Sequence, residues 1–328
     1  MPKVYVISDL HTDYKDNMSW VERHVEEVGC TTKDILIVAG DVSDDLHILR
    51  RTLQLLVTAY DKVFYTVGNH ELWVRRADRT KFNSLSKLKA IRDLCNQVGV
   101  HTDPMQISGC TPPLWIVPLW SWYHADWDKE PDIPGALPIE RVMMDFHACD
   151  WPTTVEEAEN GTCTLKASGD DSLAKYFDSL NEPGFSKALS EIEAQRKSEK
   201  TPPVVISFSH FLPYQQLLPE KRWLHFPNLA KACGSDYLGS RVSTLQPDVH
   251  AYGHTHFTQD QLVGSIRCVQ WPLGYPRDQA RRRDGGSGWT PLAVYNVCST
   301  ADGGPTPQRS SYWSDYYRTH PRQPHILS

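Results

Sequence analysis

Short runs of Val, Ile and Phe alternate along the early chain with stretches in which apolar positions recur every three or four residues. The runs at 4–7, 35–39, 63–67, 204–208 and 249–252 are too short for helices and rich in β-branched residues, which predicts buried strands. Between the first two runs, Trp20, Val21, His24, Val25 and Val28 fall at helical spacing. Leu46, Leu49, Leu53, Leu56 and Val57 repeat the pattern after the second run, and Phe82, Leu85, Leu88, Ile91 and Leu94 after the third. Strand and helix in alternation mean parallel strands joined by helical crossovers, so the expected fold class is α/β.

The pattern loosens from about 101 to 200, where prolines stand at 104, 112, 113, 118, 131, 134, 138 and 152. Five of the 11 tryptophans lie between Trp115 and Trp151, so this stretch reads as an insertion packed by its own aromatics, with a substrate-facing lid as the alternative. Residues 1–300 are expected to form a single domain. The polar, turn-rich segment 301–328 is expected to be a C-terminal tail that frays or lies across the core.

Each predicted strand runs into polar, chemically capable residues: ISDLH (7–11), AGDVSDD (39–45), VGNHE (67–71), SFSH (207–210) and AYGHTH (251–256). Ligands of open α/β sheets bind at the carboxyl ends of strands, so these five loops are expected to converge. Carboxylate, amide and imidazole donors without a thiolate suit divalent manganese, iron, zinc or cobalt. Asp9 with His11, and His254 with His256, are spaced two apart, so each pair can point the same way from an extended exit. With Asp41, Asn69 and His210 they make seven donors, too many for one tetrahedral zinc, and two divalent ions sharing Asp41 are expected.

The ordered series D-x-H, G-D, G-N-H-E, H and G-H-x-H resembles the calcineurin-like metallophosphoesterase superfamily over about residues 1–275. The resemblance implies a double β-sheet sandwich flanked by helices, here with an aromatic- and Pro-rich insertion. It implies one metal on Asp9, His11, Asp41 and His256, and a second on Asp41, Asn69, His210 and His254. His70 resembles the family's general acid, and Asp44 stands where related members place a carboxylate that orients it. The implied activity is phosphate-ester hydrolysis by a hydroxide shared between the ions.

Where Ser/Thr phosphatases of the superfamily usually carry an arginine, this chain has Asp45. A phosphate-gripping cation is therefore sought at Arg75, Arg76, Arg277, Arg281, Arg282 or Arg283. Arg277 is preferred, because Gly274 and Pro276 would hold its loop near the strand ends. His124 is a further candidate substrate contact. Trp120, Trp122 and Tyr123 could stack on a nucleobase, although covering the core edge is the preferred reading.

Composition narrows the choice. Thirty-four basic against 40 acidic residues give a net charge of -6, which argues against a protein held to nucleic acid or membrane by bulk charge. No run approaches the ~18 apolar residues of a membrane helix, and the apolar run after Met1-Pro2-Lys3 is too short for a secretory signal. Eight scattered cysteines suggest reduced thiols in a cytoplasmic chain. A small phosphomonoester is the favoured substrate. The alternatives are a phosphodiesterase or nuclease of the same superfamily, and a non-catalytic scaffold, whose mark would be a missing donor or acid.

Overall fold

The computed structural model describes residues 2–29, 33–76, 78–157, 161–165, 170–198, 201–282, 288–297 and 303–327, with backbone alone at 154–157 and 161–164. Its strands are β1 (Lys3–Ile7), β2 (Ile35–Ala39), β3 (Lys62–Thr66), β4 (Met105–Ile107), β5 (Leu114–Pro118), β6 (Thr154–Glu157) and β7 (Gly161–Thr164). They continue with β8 (Val204–Phe208), β9 (Val249–Tyr252), β10 (Gln259–Val263), β11 (Ile266–Gln270), β12 (Leu292–Asn296) and β13 (Gly304–Pro305). A five-stranded sheet runs β13-β12-β1-β2-β3, a six-stranded one runs β10-β11-β9-β8-β5-β4, and β6-β7 is a separate hairpin.

The central pairs β1·β2, β2·β3, β5·β8, β8·β9 and β9·β11 are all parallel, so their carboxyl ends open toward one side of each sheet. Strand β2, Ile-Leu-Ile-Val-Ala, is buried at all five positions. That is why it reads as a continuous apolar run: a strand covered on both faces has no solvent side to alternate toward. The helices α1 (Lys15–Val28) and α2 (Leu46–Ala59) bury their apolar stripes in the crossovers of the first sheet, and α3 (Ser84–Val98) packs beside α2 on the way to the second. Asp45 caps α2 by accepting from the backbone N–H of His47 and Ile48, and Asn83 closes a capping box with Ser86 on α3.

The stretch 101–200 departs from expectation. Strands β4 and β5 belong to the second sheet, and β5 lies between β4 and β8 with all five residues buried. Prolines on both sides of Leu-Trp-Ile-Val give it the look of a loop; the polypeptide between β5 and β8 is what stands outside the sheet. Trp120, Trp122 and Tyr123 are buried core residues, as preferred.

Past 303 the chain first extends the edge of the five-stranded sheet and then lies against the six-stranded one. β13 pairs with β12, and helix Tyr312–Thr319 is tied to β10 by the Ser314 hydroxyl, which accepts from the Asp260 N–H. Buried Arg267 pairs with Asp260 at 2.7 Å and donates to the Thr306 carbonyl. Cys95, Cys110, Cys149, Cys233 and Cys268 are free thiols. Among the described residues no helix is long and apolar enough to cross a membrane.

Candidate active site

The exits of β1, β2, β3, β8 and β9 meet between the two sheets, which are also joined by a bridge between Ser8 and Pro272. Of the six non-glycine residues with positive φ among those described, five are the predicted donors Asp9, His11, Asp41, His254 and His256. Left-handed backbone is unfavourable for residues bearing a Cβ and persists where surrounding contacts hold it, most often at working sites. Glycines permit the close approach. Gly40 has φ +82°, and a Cβ there would sit 2.5 Å from the His210 ring, while one on Gly68 would collide with the Asp41 carboxylate.

All seven predicted donors come together. The Nε2 atoms of His11 and His256 lie 3.0 Å apart, and Asp9 Oδ1 is 3.5 Å from the latter. Asn69 Oδ1 is 3.0 Å from both His210 Nε2 and His254 Nδ1. Asp41 Oδ2 stands between these sets, 4.0 Å from His11 Nε2 and 3.5 Å from His210 Nε2. His70 Nε2 is 3.8 Å from the same oxygen, so distance alone does not separate this histidine from the donors. Its Nε2 also lies 3.2 Å from the Tyr275 hydroxyl.

The protonation pattern fits cation binding. His210 Nδ1 faces the Ala39 carbonyl at 2.9 Å, His254 Nε2 the Ala232 carbonyl at 2.8 Å, and His256 Nδ1 the Asp278 carboxylate at 2.8 Å. Each of those nitrogens donates outward, which for His210 and His254 leaves the other nitrogen with a lone pair aimed into the cluster, and for His256 does so once its Nε2 proton is displaced. Burial, reinforced by its imidazole neighbours, pushes His254 down to about 3, and burial with His70 and His256 lowers His11 strongly. Burial, then Glu71 and Asp9, raises the Asp41 carboxyl well above its ordinary range. Burial would also raise Asp9, but His256, His210 and His11 outweigh it and the net shift is downward. His256 moves oppositely, to about 9, because Asp9 and Asp278 overcome its burial. No lysine or arginine pairs with Asp9 or Asp41 among the described residues, so in the metal-free protein the positive charge beside Asp9 is the His256 imidazolium, a proton that a bound cation would displace. This donor set suits divalent ions.

Four further residues, of which the sequence motif includes only Glu71, support the cluster. Asp278 fixes the His256 ring, and Asp145 accepts from Asn69 Nδ2 at 2.9 Å and from Trp73 Nε1 at 2.6 Å, which turns the amide oxygen of Asn69 inward. Burial holds the Asp145 carboxyl up at about 6 despite those donors. Tyr275 stacks on His11 with centroids 4.3 Å apart while its hydroxyl meets His70. Glu71, fully buried, accepts from the backbone N–H groups of Asp41, Val42, Ser43 and Gly68, at 3.1, 2.5, 3.1 and 2.6 Å. It thereby ties the exit of β2 to the exit of β3. Replacing Glu71 with alanine would strand four buried donors, and we expect a loss of roughly 3–5 kcal/mol in denaturant unfolding, with Glu71→Gln intermediate. An unshifted midpoint for Glu71→Ala would contradict this role.

Two of the predicted residues make other contacts. Asp44 does not reach His70 by any hydrogen bond among the described residues; its carboxylate is gripped by Arg75, whose Nε lies 3.0 Å from Oδ2 and whose Nη1 also contacts Asp45. Arg75 is thereby drawn away from any phosphate-gripping role. His124 is buried outside the pocket, where Nε2 accepts from the Asp236 N–H at 3.0 Å and caps helix Asp236–Leu245. Arg277 does line the pocket, at its rim over the Tyr275 ring, with its side chain 74% exposed. Arg282 donates to the Pro272 and Leu273 carbonyls, and Arg283 lies outside the described residues. The cavity above the donors has a volume of about 440 Å³, within the range of small-molecule sites.

Parallel strand ends from two sheets, meeting in a buried set of carboxylate, amide and imidazole donors, define a metallophosphoesterase. The pattern of the calcineurin-like phosphoesterase family matches residues 2–257, and the chain belongs to that family. It is a hydrolase acting on phosphate esters. Among characterised relatives, the [acyl-carrier-protein] phosphodiesterase PptH of Mycobacterium tuberculosis is 23% identical over 290 residues, covering 86% of this chain and 81% of that protein. The crystal structure of that phosphopantetheinyl hydrolase overlays with a TM-score of 0.62 and 22% identity, over 86% of this chain and 93% of the other. TT1561 of Thermus thermophilus overlays more loosely, with a TM-score of 0.43 and 13% identity, over 83% of this chain and 91% of the other.

Proposed function

We propose that the chain is a metal-dependent phosphodiesterase. The observation that carries the metal dependence is the position of Asp41 between two donor sets. On this reading one cation is held by Asp9, His11, Asp41 and His256, and the other by Asp41, Asn69, His210 and His254. Two such ions would lower the pKa of a shared water from ~15.7 toward neutrality and neutralise charge on the phosphoryl oxygens. The preference for a diester over the small monoester favoured from sequence rests on the relative named as a phosphodiesterase and on a pocket with room beyond the phosphate.

The chain's own residues then divide the remaining work. As the water oxygen bonds to phosphorus and the ester P–O bond breaks, His70 passes a proton to the departing alkoxide; burial and the neighbouring imidazoles lower its own basicity, so this proton is the one given up by the attacking water. The Tyr275 hydroxyl and the ring of Trp73, 3.7 Å from the His70 centroid, hold that imidazole at the pocket floor. Arg277 offers positive charge to the phosphate from the rim. Asp44, engaged by Arg75, has no part in this scheme.

Protein stripped with a chelator and reloaded separately with manganese, iron, zinc or cobalt should regain activity with at least one ion. It should then cleave bis-p-nitrophenyl phosphate with a kcat/KM at least about tenfold above that for p-nitrophenyl phosphate, a difference of about 1.4 kcal/mol in transition-state stabilisation. The reverse ratio would restore the monoester reading. Silence with every ion would remove the metal-dependent reading altogether.

A further inference from the structure

The walls of the catalytic cavity differ in chemistry. Part of the lining carries the donors, Tyr275 and Arg277; another part is built from Val142, Met143, Met144, Phe226 and Leu229 and bears no charge. Met144 is 54% exposed and Phe226 42% exposed, beside a buried polar cluster. Large apolar side chains left open within a concave site commonly mark where a ligand removes them from water. Both wall segments are anchored to the donor cluster. Met144 directly precedes Asp145, which holds Asn69. Phe226 and Leu229 lie on the segment that ends at Ala232, whose carbonyl holds His254. Helix Ile139–Val142 packs on that same segment, so the two halves form one continuous surface. A phosphate placed at the donors would therefore have this wall within the same cavity for its substituent.

We infer that Met143, Met144, Phe226 and Leu229 form a subsite for an uncharged, largely apolar chain carried on the substrate's phosphate, and that Met144 and Phe226 set this specificity. The inference rests on the phosphoesterase reading for the position of the phosphate. It excludes as preferred substrates those whose phosphate carries a further charged group at this place, because burying that charge against thioether and phenyl groups has no compensating partner. Methionine is suited to such a wall, since its unbranched side chain adapts to chains of differing shape.

Calorimetric titration of metal-replete protein with methyl-, butyl- and octylphosphonate, which cannot be hydrolysed, tests the subsite directly. A fully buried methylene contributes about 0.8 kcal/mol, or roughly fourfold in affinity, so octylphosphonate should bind at least about tenfold tighter than methylphosphonate even if only a few methylenes reach the wall. In the double variant Met144→Glu/Phe226→Ser, the octyl-to-methyl ratio should fall to within about threefold, with metal content unchanged. Equal affinities across the series in the parent protein, or a ratio that survives the double substitution, would overturn the subsite. Turnover of bis-p-nitrophenyl phosphate by the same samples separates the two ideas. Chain-length preference without turnover overturns the phosphodiesterase reading alone, and turnover without preference overturns the subsite alone.

Discussion

Asp41→Asn should produce a folded protein that has lost both bound metal and activity, with kcat on bis-p-nitrophenyl phosphate reduced by at least about 10³-fold. The reason lies in how the two carboxylate oxygens are used. Oδ1 accepts from the backbone N–H of His70 at 3.0 Å, whereas Oδ2 faces the nitrogens of His11, His70 and His210. An asparagine keeps the first bond by placing its carbonyl there, which turns its amide donors toward the cation positions. The fold loses little, because a neutral amide replaces a carboxyl whose charged form is disfavoured by burial and by Glu71 and Asp9. Thermal unfolding of the metal-free variant should therefore occur no lower than that of the metal-free parent, while elemental analysis shows the metal gone. Retention of both ions and of the parent rate would undo the bridging assignment.

His70→Gln should behave differently, keeping its metal and losing rate according to the leaving group. For an alkyl ester, whose alkoxide needs a proton as the bond breaks, kcat should fall by about 10²- to 10⁴-fold. For p-nitrophenyl esters, whose phenolate departs unprotonated, the fall should be several-fold at most. Plotting rate against leaving-group pKa for parent and variant provides the check. A uniform loss across leaving groups, or a loss of metal, would instead make His70 a donor, a role its 3.8 Å approach to Asp41 Oδ2 leaves geometrically open.

The parts of this site that can be read from the sequence are those in which chemistry and strand end lie within a few residues. Asp9 and His11 follow β1, Asp41 follows β2 and Asn69 follows β3, so hydrophobic pattern and donor type coincide. The supporting residues act across longer separations. Asp145 is 76 residues from Asn69, and Tyr275 is 205 from His70, and no local pattern pairs them. Asp278 follows Tyr275 by three residues, a spacing that closes the short helix Pro276–Gln279 with a capping box. Among so many neighbouring arginines that carboxylate reads as one more surface charge. Glu71 is visible within G-N-H-E, but its role in collecting backbone N–H groups follows from the folding of two loops around it. Strand β5 is hidden because prolines at 112, 113 and 118 interrupt the usual strand signals. His124 resembles a substrate contact because an aromatic run precedes it, and it holds the start of a helix instead.

The left-handed turns at Asp9, His11, Asp41, His254 and His256 set catalytic capability against thermodynamic robustness. A glycine at His11 or His254, whose charged forms burial and neighbouring rings disfavour, would adopt the required dihedrals without steric penalty, and the apo fold would also shed a member of a crowded polar cluster. Inactivating substitutions at the centre can thus leave a protein harder to melt than its parent when no cation is supplied. Resistance to heat, used alone to rank variants of this chain, would favour those that can no longer turn over an ester.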